Sequence, residues 1–326
     1  MTNPVNSLPG PIIEQHEGWQ PPGPESQFSD SFYFGLADDS GLGLYTRIGW
    51  RPNESIIEGA LGIYLPDGRY AMLWNRSAGP ASSSVKAGPL HYSCDLPFKR
   101  WRLEAEGSGR MFEQATDLLL APDRFEEVTI ALSLSFEAWA GPIAFMGSAT
   151  DAAASQNLER GVARYHYEQP GMAAGSITVG GESYEGRLLR GMRDHSWGVR
   201  DWQAIVFWRW ACASFGPDLA IGVSNVGRRD GGVDVGGWVL QDGWLSPVEQ
   251  CSWSSKMDEA HDWQRGLIID VVDVAGRSVR LEGEALAVAP LRQRRRELVT
   301  CINEALTRYT LDGRTTYGIS EYLIQS

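Results

Sequence analysis

The sequence has few of the residues that build disulfides and metal centres. Its four cysteines are widely separated, with no Cys-x-x-Cys pair, and its five histidines show no ligand spacing. These patterns argue against a disulfide framework, predict no metal and no redox cofactor, and fit free thiols in a reducing cytoplasm. Familiar catalytic motifs are also missing: there is no Gly-x-Ser-x-Gly elbow, no phosphate-binding loop and no His-Glu-x-x-His.

Positive charge is scarce as well. Lysine occurs only at Lys86, Lys99 and Lys256, and the formal net charge is -12. A nucleic-acid-binding protein would present a basic face, so we expect no nucleic-acid partner. No window approaches the roughly 18 apolar residues of a membrane span, and the N-terminus lacks the basic start and apolar run of a signal peptide. We therefore predict a cytoplasmic protein with no membrane partner, and leave a homo-oligomer open.

What the sequence does contain is a repeated pattern of short β-strands. Between Glu127 and Ala138, apolar residues from Val128 to Phe136 stand at alternate positions, which is the period of a strand with one face in a core. Similar runs, separated by turn residues, continue to the C-terminus. An apolar content of 43% is typical of a soluble globular protein, and 326 residues suggest two domains. The pattern predicts an all-β protein of two barrels or sandwiches.

Composition also suggests the domain boundaries. Residues 1–30 are rich in proline and polar groups, which predicts an extended N-terminal arm. Residues 151–161 combine helix-forming and linker composition. We therefore predict an N-terminal β domain over residues 31–150 and a C-terminal β domain over residues 162–326.

The most unusual stretch runs from Gly191 to Trp210 and mixes tryptophans, arginines, two aspartates and a histidine. Such groups are costly to bury unless the polar ones are paired. The same mixture suits a site that holds an apolar molecule and acts on it. The function prediction rests mainly on this stretch.

Its centre, Asp194-His195-Ser196-Trp197-Gly198, followed by a strand with Trp208 and Trp210, resembles the AttH and carotenoid 1,2-hydratase group. The chain more closely resembles uncharacterised bacterial members of that group, through three stretches: Tyr167 to Gln169, Arg193 to Trp202 and Asp312 to Glu321. The resemblance implies two lipocalin-like (calycin-type) β-barrel domains packed together. It also implies acid-base chemistry on an apolar substrate, as in hydratases of carotenoids and of a plant isoflavonoid and in fungal relatives that guide cyclisations.

One residue departs from the carotenoid hydratases, which carry a histidine before the aspartate where this chain has Arg193. Arginine stays protonated and cannot act as a general acid or base at neutral pH. It also lowers the pKa of a neighbouring carboxylate, whereas alkene protonation requires that pKa to be raised.

The residues themselves suggest roles in catalysis. A histidine exchanges protons near neutral pH, so His195 is either a general acid-base group or a hydrogen-bonded core histidine. Asp194 is its proposed partner, and Glu168 is a second acid or base or a hydrogen-bonding residue. On a regular strand Asp194 and His195 would point to opposite faces, and only a bulge near Trp197-Gly198 would bring them together.

The tryptophans Trp197, Trp208, Trp210 and Trp238 either pack in a core or line an apolar cavity, where they would stabilise a developing cation. Arg209 interrupts a strand that is apolar on both faces, so we expect a buried guanidinium with an acid partner among Asp194, Asp201, Glu168 and Glu321. Arg193 and Arg209 are predicted to contact the substrate or, alternatively, to belong to an ion-pair network.

Together these features predict a cofactor-independent acid-base enzyme, a hydratase, lyase or isomerase-cyclase. Its substrate would be a hydrophobic small molecule such as a terpenoid, steroid or aromatic alkene. The alternative is a non-catalytic binding protein for an apolar metabolite, with the same residues purely structural.

Overall fold

The computed structural model describes residues 12–79, 83–144, 165–201, 204–295 and 298–325, without the side chains of residues 294, 295 and 298. The predicted linker at residues 151–161, Trp202 of the motif and the first eleven residues of the predicted arm lie outside these ranges. Helix is confined to short pieces in the described residues: 3-10 turns at Glu14–Glu17 and Pro52–Glu54, and α1 at Asp117–Leu120. None of the helices described is long and apolar enough to cross a bilayer.

The first eleven strands form one antiparallel sheet in the order β4-β3-β2-β1-β11-β10-β8-β7-β6-β5, with β9 beside β10. Pairing of β4 with β7 closes eight of these strands into a barrel. The strands are β1 (Phe28–Ala37), β2 (Gly43–Arg51), β3 (Ile56–Tyr64), β4 (Tyr70–Ala78), β5 (Val85–Ala87), β6 (Leu90–Leu96), β7 (Arg100–Phe112), β8 (Glu126–Ala138), β9 (Ile143–Ala144), β10 (Tyr165–Val179) and β11 (Glu182–Val199).

The remaining strands form a second closed antiparallel barrel in sequence order, with β12 pairing β19. They are β12 (Ile205–Gly216), β13 (Leu219–Arg228), β14 (Val233–Gln241), β15 (Trp244–Met257), β16 (Gln264–Asp273), β17 (Ser278–Arg295), β18 (Leu298–Leu311) and β19 (Arg314–Gln325). The prediction of an all-β protein with two packed lipocalin-like barrels is confirmed.

The boundary between the barrels is not where composition placed it. Strands β10 and β11 follow the predicted linker, yet they pair with β8 and β1 of the first barrel. The chain therefore passes to the second barrel at residues 200–204, and the Asp194–Gly198 motif belongs to the first. The expected boundary at residues 151–161 is wrong, because the strands on either side of it, β9 and β10, pair with each other in the first barrel.

The three largest apolar cores of the described residues follow from the alternation of side chains along the strands. Each barrel fills its own interior, with Phe32 and Phe34 in the first and Ile221 and Ile269 in the second. A third core lies between the barrels, where their outer faces meet and bury Tyr45, Tyr64, Trp210 and Leu323 among others. The strands at this contact are therefore covered on both sides.

The predicted arm does not extend away from the protein. Its residues 12–27 lie against the first barrel, and the first strand already begins at Phe28. Trp19 packs edge-on against Phe32 inside that barrel, with ring centroids 5.3 Å apart. The segment from residue 12 to residue 20 thus fills one end of the first barrel, and we call it the N-terminal plug.

Candidate active site

A cavity of about 920 Å³ lies between the outer faces of the two barrels. The first barrel contributes polar side chains from β2, β10, β11 and the residue after it: Arg47, His166, Glu168, Asp194, Ser196 and Arg200. The second contributes Trp208 and Trp210 from β12, Glu304 from β18 and Glu321 from β19. Apolar walls with several titratable groups facing inward are typical of an enzyme site.

Strand β11 separates the residues of the central motif into two sets. Its pairing with β1 runs without a register shift from Arg190 to Val199, so no bulge interrupts the alternation. Asp194 and Ser196 consequently face the cavity, whereas Arg193 and His195 face the interior of the first barrel. Asp194 and His195 do not share a pocket.

His195 is fully buried in a setting of hydrogen bonds and ring contacts. Its Nε2 lies 2.7 Å from Asp30 Oδ1, and its Nδ1 lies 2.7 Å from the carbonyl oxygen of His16 in the N-terminal plug. Its ring stacks on Phe32 at a centroid distance of 3.9 Å. These contacts match the second of the two predictions for His195, a core histidine whose ring nitrogens are both hydrogen-bonded.

Arg193 is also buried and holds the N-terminal plug. Its Nη2 donates to Glu17 Oε1 at 2.5 Å, and its Nε donates to Gln169 Oε1 at 2.9 Å. Burial opposes ionisation of Glu17, but the Arg193 charge and the hydrogen bond from Tyr167 hold the pKa of Glu17 below its ordinary value. The expected ion-pair network therefore exists around Arg193, away from the cavity.

Two further predicted ligand residues lie outside the cavity. Trp197 packs in a small core with Phe28 and Tyr167, and its ring stacks on Tyr165. Arg209 is half-buried on the other face of β12, where its guanidinium lies 4.7 Å from the centroid of the Phe207 ring. None of the described residues forms an ion pair with Arg209. The prediction of an acid partner for Arg209 is wrong, because this guanidinium is partly exposed and stacks on aromatic rings instead.

Glu168 and Asp194 are the predicted acid-base residues that do meet in the cavity. Glu168 is fully buried, and its two carboxyl oxygens accept hydrogen bonds from Trp210 Nε1 at 3.0 Å and Trp238 Nε1 at 2.5 Å. Between the two acids lies His166, whose Nε2 is 3.7 Å from Glu168 Oε1 and 3.7 Å from Asp194 Oδ2. Burial, together with the nearby Asp194 charge, raises the pKa of Glu168 well above its ordinary value.

Trp238 reaches Glu168 because Gly222 on the neighbouring strand has no side chain. A Cβ at position 222 would lie 2.5 Å from Trp238 Cε2. Trp238 is completely buried and therefore positions Glu168 from behind instead of lining the cavity.

The opposite wall carries two acids that the sequence reasoning did not assign to the site. Glu304 and Glu321 are direct cross-strand neighbours on β18 and β19, and their carboxyl groups hydrogen-bond to each other. The hydroxyl of Tyr33 donates to Glu304 Oε2 at 3.2 Å. Burial raises the pKa of both glutamates. The sequence held one signal for this site: Glu304 stands between Ile302 and Leu306 on the apolar face of a strand.

Several arginines also line the cavity, and two of them, Arg47 and Arg200, lie near Asp194 in charge terms but were not predicted as site residues. Arg200 donates from Nη2 to Ser196 Oγ at 2.8 Å. Burial and the nearby Arg47 charge lower the pKa of Arg200 to about 10. Arg47 lies against Gly49, where a Cβ would come within 2.5 Å of its Nη1. The cavity thus combines protonatable carboxyl groups, a histidine, aromatic walls and several arginines.

Within the described ranges, no three His, Cys, Asp or Glu side chains are grouped so that they could hold a metal ion.

Solved structures with the same two-barrel architecture include a candidate AttH (NE1406) from Nitrosomonas europaea. It is 14% identical, with a TM-score of 0.64 over 98% of this chain and 97% of that one. Kievitone hydratase from Nectria haematococca is 10% identical, with a TM-score of 0.60 over 99% of this chain and 94% of that one. CghA is 11% identical, with a TM-score of 0.53 over 91% of this chain and 88% of that one. These similarities confirm the fold of the AttH and carotenoid hydratase-like group.

No curated protein matches the sequence. A family model, described as Domain of unknown function (DUF7064), matches residues 14–326, and this range spans both barrels and most of the N-terminal plug. The chain therefore belongs to the DUF7064 family.

Proposed function

We propose that this protein is a cofactor-independent acid-base enzyme that adds water to, removes water from, or isomerises a hydrophobic small molecule held between the barrels. The observation that carries the proposal is Glu168. It is a fully buried carboxyl group that faces the cavity, has a raised pKa and lies beside Asp194. Two carboxyl groups in different environments are a recurring arrangement for a general acid and a general base.

Each residue takes a role that its environment favours. The raised pKa of Glu168 favours its protonated form, and in this proposal Glu168 donates that proton to a carbon of the substrate double bond, whose π electrons form the new C–H bond. The positive charge then left on the adjacent carbon faces the aromatic wall of Trp208 and Trp210. Water adds to that carbon and loses a proton to Asp194. For dehydration the same steps run in reverse.

Support for this reaction class also comes from the related folds. Kievitone hydratase has the same two-barrel architecture over nearly its whole length, and its name states that it is a hydratase. At 10% identity the likeness concerns the fold, so the chemistry proposed here rests on the residues of the cavity.

Within this proposal Arg193, His195 and Trp197 form the scaffold and not the catalytic group. They hold the N-terminal plug and fix β11, which in turn places Asp194 and Ser196 in the cavity. Glu168 and Asp194 remain the proposed catalytic residues, Trp208 and Trp210 contact the substrate, and Trp238 positions Glu168.

The test is a mass-spectrometric assay in heavy water against terpenoid, steroid and aromatic alkenes. Turnover would add the mass of one water molecule, or exchange hydrogen for deuterium at carbon. We expect Glu168→Gln and Asp194→Asn each to lower turnover by about 10²–10⁴-fold, with little change in affinity. Glu137→Gln, a change at an exposed residue on β8, is the control. Full turnover in both cavity variants would remove the two acids from the mechanism.

A non-catalytic binding protein is the alternative, and one observation favours it. Both oxygens of Glu168 accept indole N–H bonds, as they would in a purely structural carboxylate. That function predicts a ligand that binds in the cavity but gains no deuterium at carbon when it is incubated with the protein in heavy water.

A further inference from the structure

Two of the arginines that line the cavity, Arg47 and Arg200, have no part in the proton transfers proposed above. Arg47 on β2 and Arg200 after β11 both line the cavity and are half-buried. The positive charge of Arg47 lowers the pKa of Arg200, so the two guanidinium groups are close enough to repel each other. We call this pair, together with Ser196, the cationic patch.

Arg47 has no partner of its own in this arrangement. Across the described ranges, no carboxylate lies within ion-pair distance of its guanidinium, and no hydrogen bond from it is formed. Glu58 has the largest effect of any carboxylate on the pKa of Arg47, and Asp194 and Glu321 influence both arginines; each acts only through space. A guanidinium removed from bulk water without an acceptor is unfavourable, and an anion placed between Arg47 and Arg200 would relieve the desolvation of Arg47 and the repulsion between the two charges.

The backbone around the cationic patch leaves room for an acceptor. The absence of a side chain at Gly49 lets the Arg47 guanidinium lie flat against the strand. On the other side, the Ser196 hydroxyl fixes Arg200 with a hydrogen bond of 2.8 Å. Planar guanidinium groups held in this way match the two oxygens of a carboxylate.

We propose that the cationic patch binds a carboxylate group of the substrate, so that the substrate is an apolar molecule bearing one acidic group. This inference rests on the proposed function of the cavity and adds the substrate class. Ser196 and Asp194 stand two residues apart on β11, which corresponds to about 7 Å along a strand. The reacting carbon therefore lies about that distance from the carboxylate, with the apolar body against Trp208 and Trp210.

The test compares two probes with the same apolar body, 1-pyrenebutyrate and its methyl ester, which replaces the carboxylate charge by a neutral ester. Binding to the intact protein is followed by energy transfer from tryptophan to pyrene. We expect the carboxylate to bind at least about tenfold more tightly than the ester, as charge-assisted hydrogen bonds predict. Arg47→Met and Arg200→Met should each reduce this preference without weakening ester binding. Arg280→Met, a change on β17 at an exposed ion pair with Asp270, should preserve it.

The outcomes separate this inference from the proposed function. Equal affinity of wild-type protein for the two probes would overturn the carboxylate assignment while leaving an apolar cavity in place, and this comparison needs no variant to fold. Binding of neither probe would overturn both. A preference that survives both arginine substitutions would also refute the assignment. Glu168→Gln should keep the preference, because Glu168 is not part of the cationic patch, whether or not it loses turnover.

Discussion

Replacing Glu17 with glutamine should destabilise the protein strongly, although Glu17 lies outside every strand. Its side chain is 3% exposed and forms an ion pair with the Arg193 side chain, which is 1% exposed. It also accepts hydrogen bonds from the Tyr167 hydroxyl, from Trp101 Nε1 at 2.8 Å and from the backbone N–H of Phe98 at 2.9 Å. Glutamine keeps the shape but removes the charge, leaving a buried guanidinium without its anion. Breaking a buried pair in this way costs about 3–5 kcal/mol.

The measurement is urea unfolding followed by tryptophan fluorescence at neutral pH. The matched control is Glu137→Gln, which breaks the ion pair between Glu137 and Arg100. The side chains of these two residues are 39% and 47% exposed. Exposed pairs contribute about 0–1 kcal/mol, so the control should unfold almost like the wild-type protein. If the two variants lose the same small amount of stability, the N-terminal plug is not held by a desolvated ion pair and the reasoning fails.

The pH dependence provides a second check on the same residue. The folded-state pKa of Glu17 lies below its ordinary value of 4.5, so its contribution is present above that pH. It is lost as the pH falls through the folded-state pKa. The difference in stability between wild-type protein and the Glu17→Gln variant should therefore shrink in acid, and a difference that stays constant down to the acid transition would contradict the assignment.

Three further changes test other parts of the structure. Gly222→Ala should displace the Trp238 indole and cost about 1–3 kcal/mol through overpacking, so an unchanged melting temperature would show that the indole has room to move. Arg209→Met should cost only about 0.5–2 kcal/mol, the loss of stacking on Phe207, and a loss above about 3 kcal/mol would restore the buried ion pair that the sequence suggested. Burial raises the folded-state pKa of Glu304. The stability that follows from this shift is therefore present below the ordinary pKa of a glutamate and is lost as the pH rises through the folded-state pKa. Urea unfolding of Glu304→Gln should accordingly depend less on pH above 4.5 than that of the wild-type protein, and parallel profiles would contradict the shift.

Local patterns predicted the strands well, because a period of two is visible within one segment. The same rule applied to β11 indicated that Asp194 and His195 would face opposite sides, and the unbroken register shows that they do. The domain boundary required information of another kind. Ser31 and Ser196 approach each other across 165 residues, and no local property of either strand reports that pairing.

The cavity was harder to predict than the fold for a related reason. Its residues come from strands of both barrels, and the central motif holds only part of them. Glu304 and Arg47 stand in ordinary strand sequences, so their meeting with Asp194 depends on how two outer faces pack. Glu168 and Asp194 were found because they belong to stretches with unusual composition.

Because the N-terminal plug fills one end of the first barrel and apolar cores fill both interiors, the strands around the cavity serve two purposes at once. On β11, alternate residues either hold the barrel together or face the ligand. Selection can therefore alter the outward positions other than the proposed catalytic Asp194, and so the accepted molecule, while the inward ones stay unchanged. Fold and specificity can therefore evolve separately along a single strand. A directed-evolution library confined to the outward positions should yield variants with changed ligand preference, and few of these variants should be unfolded.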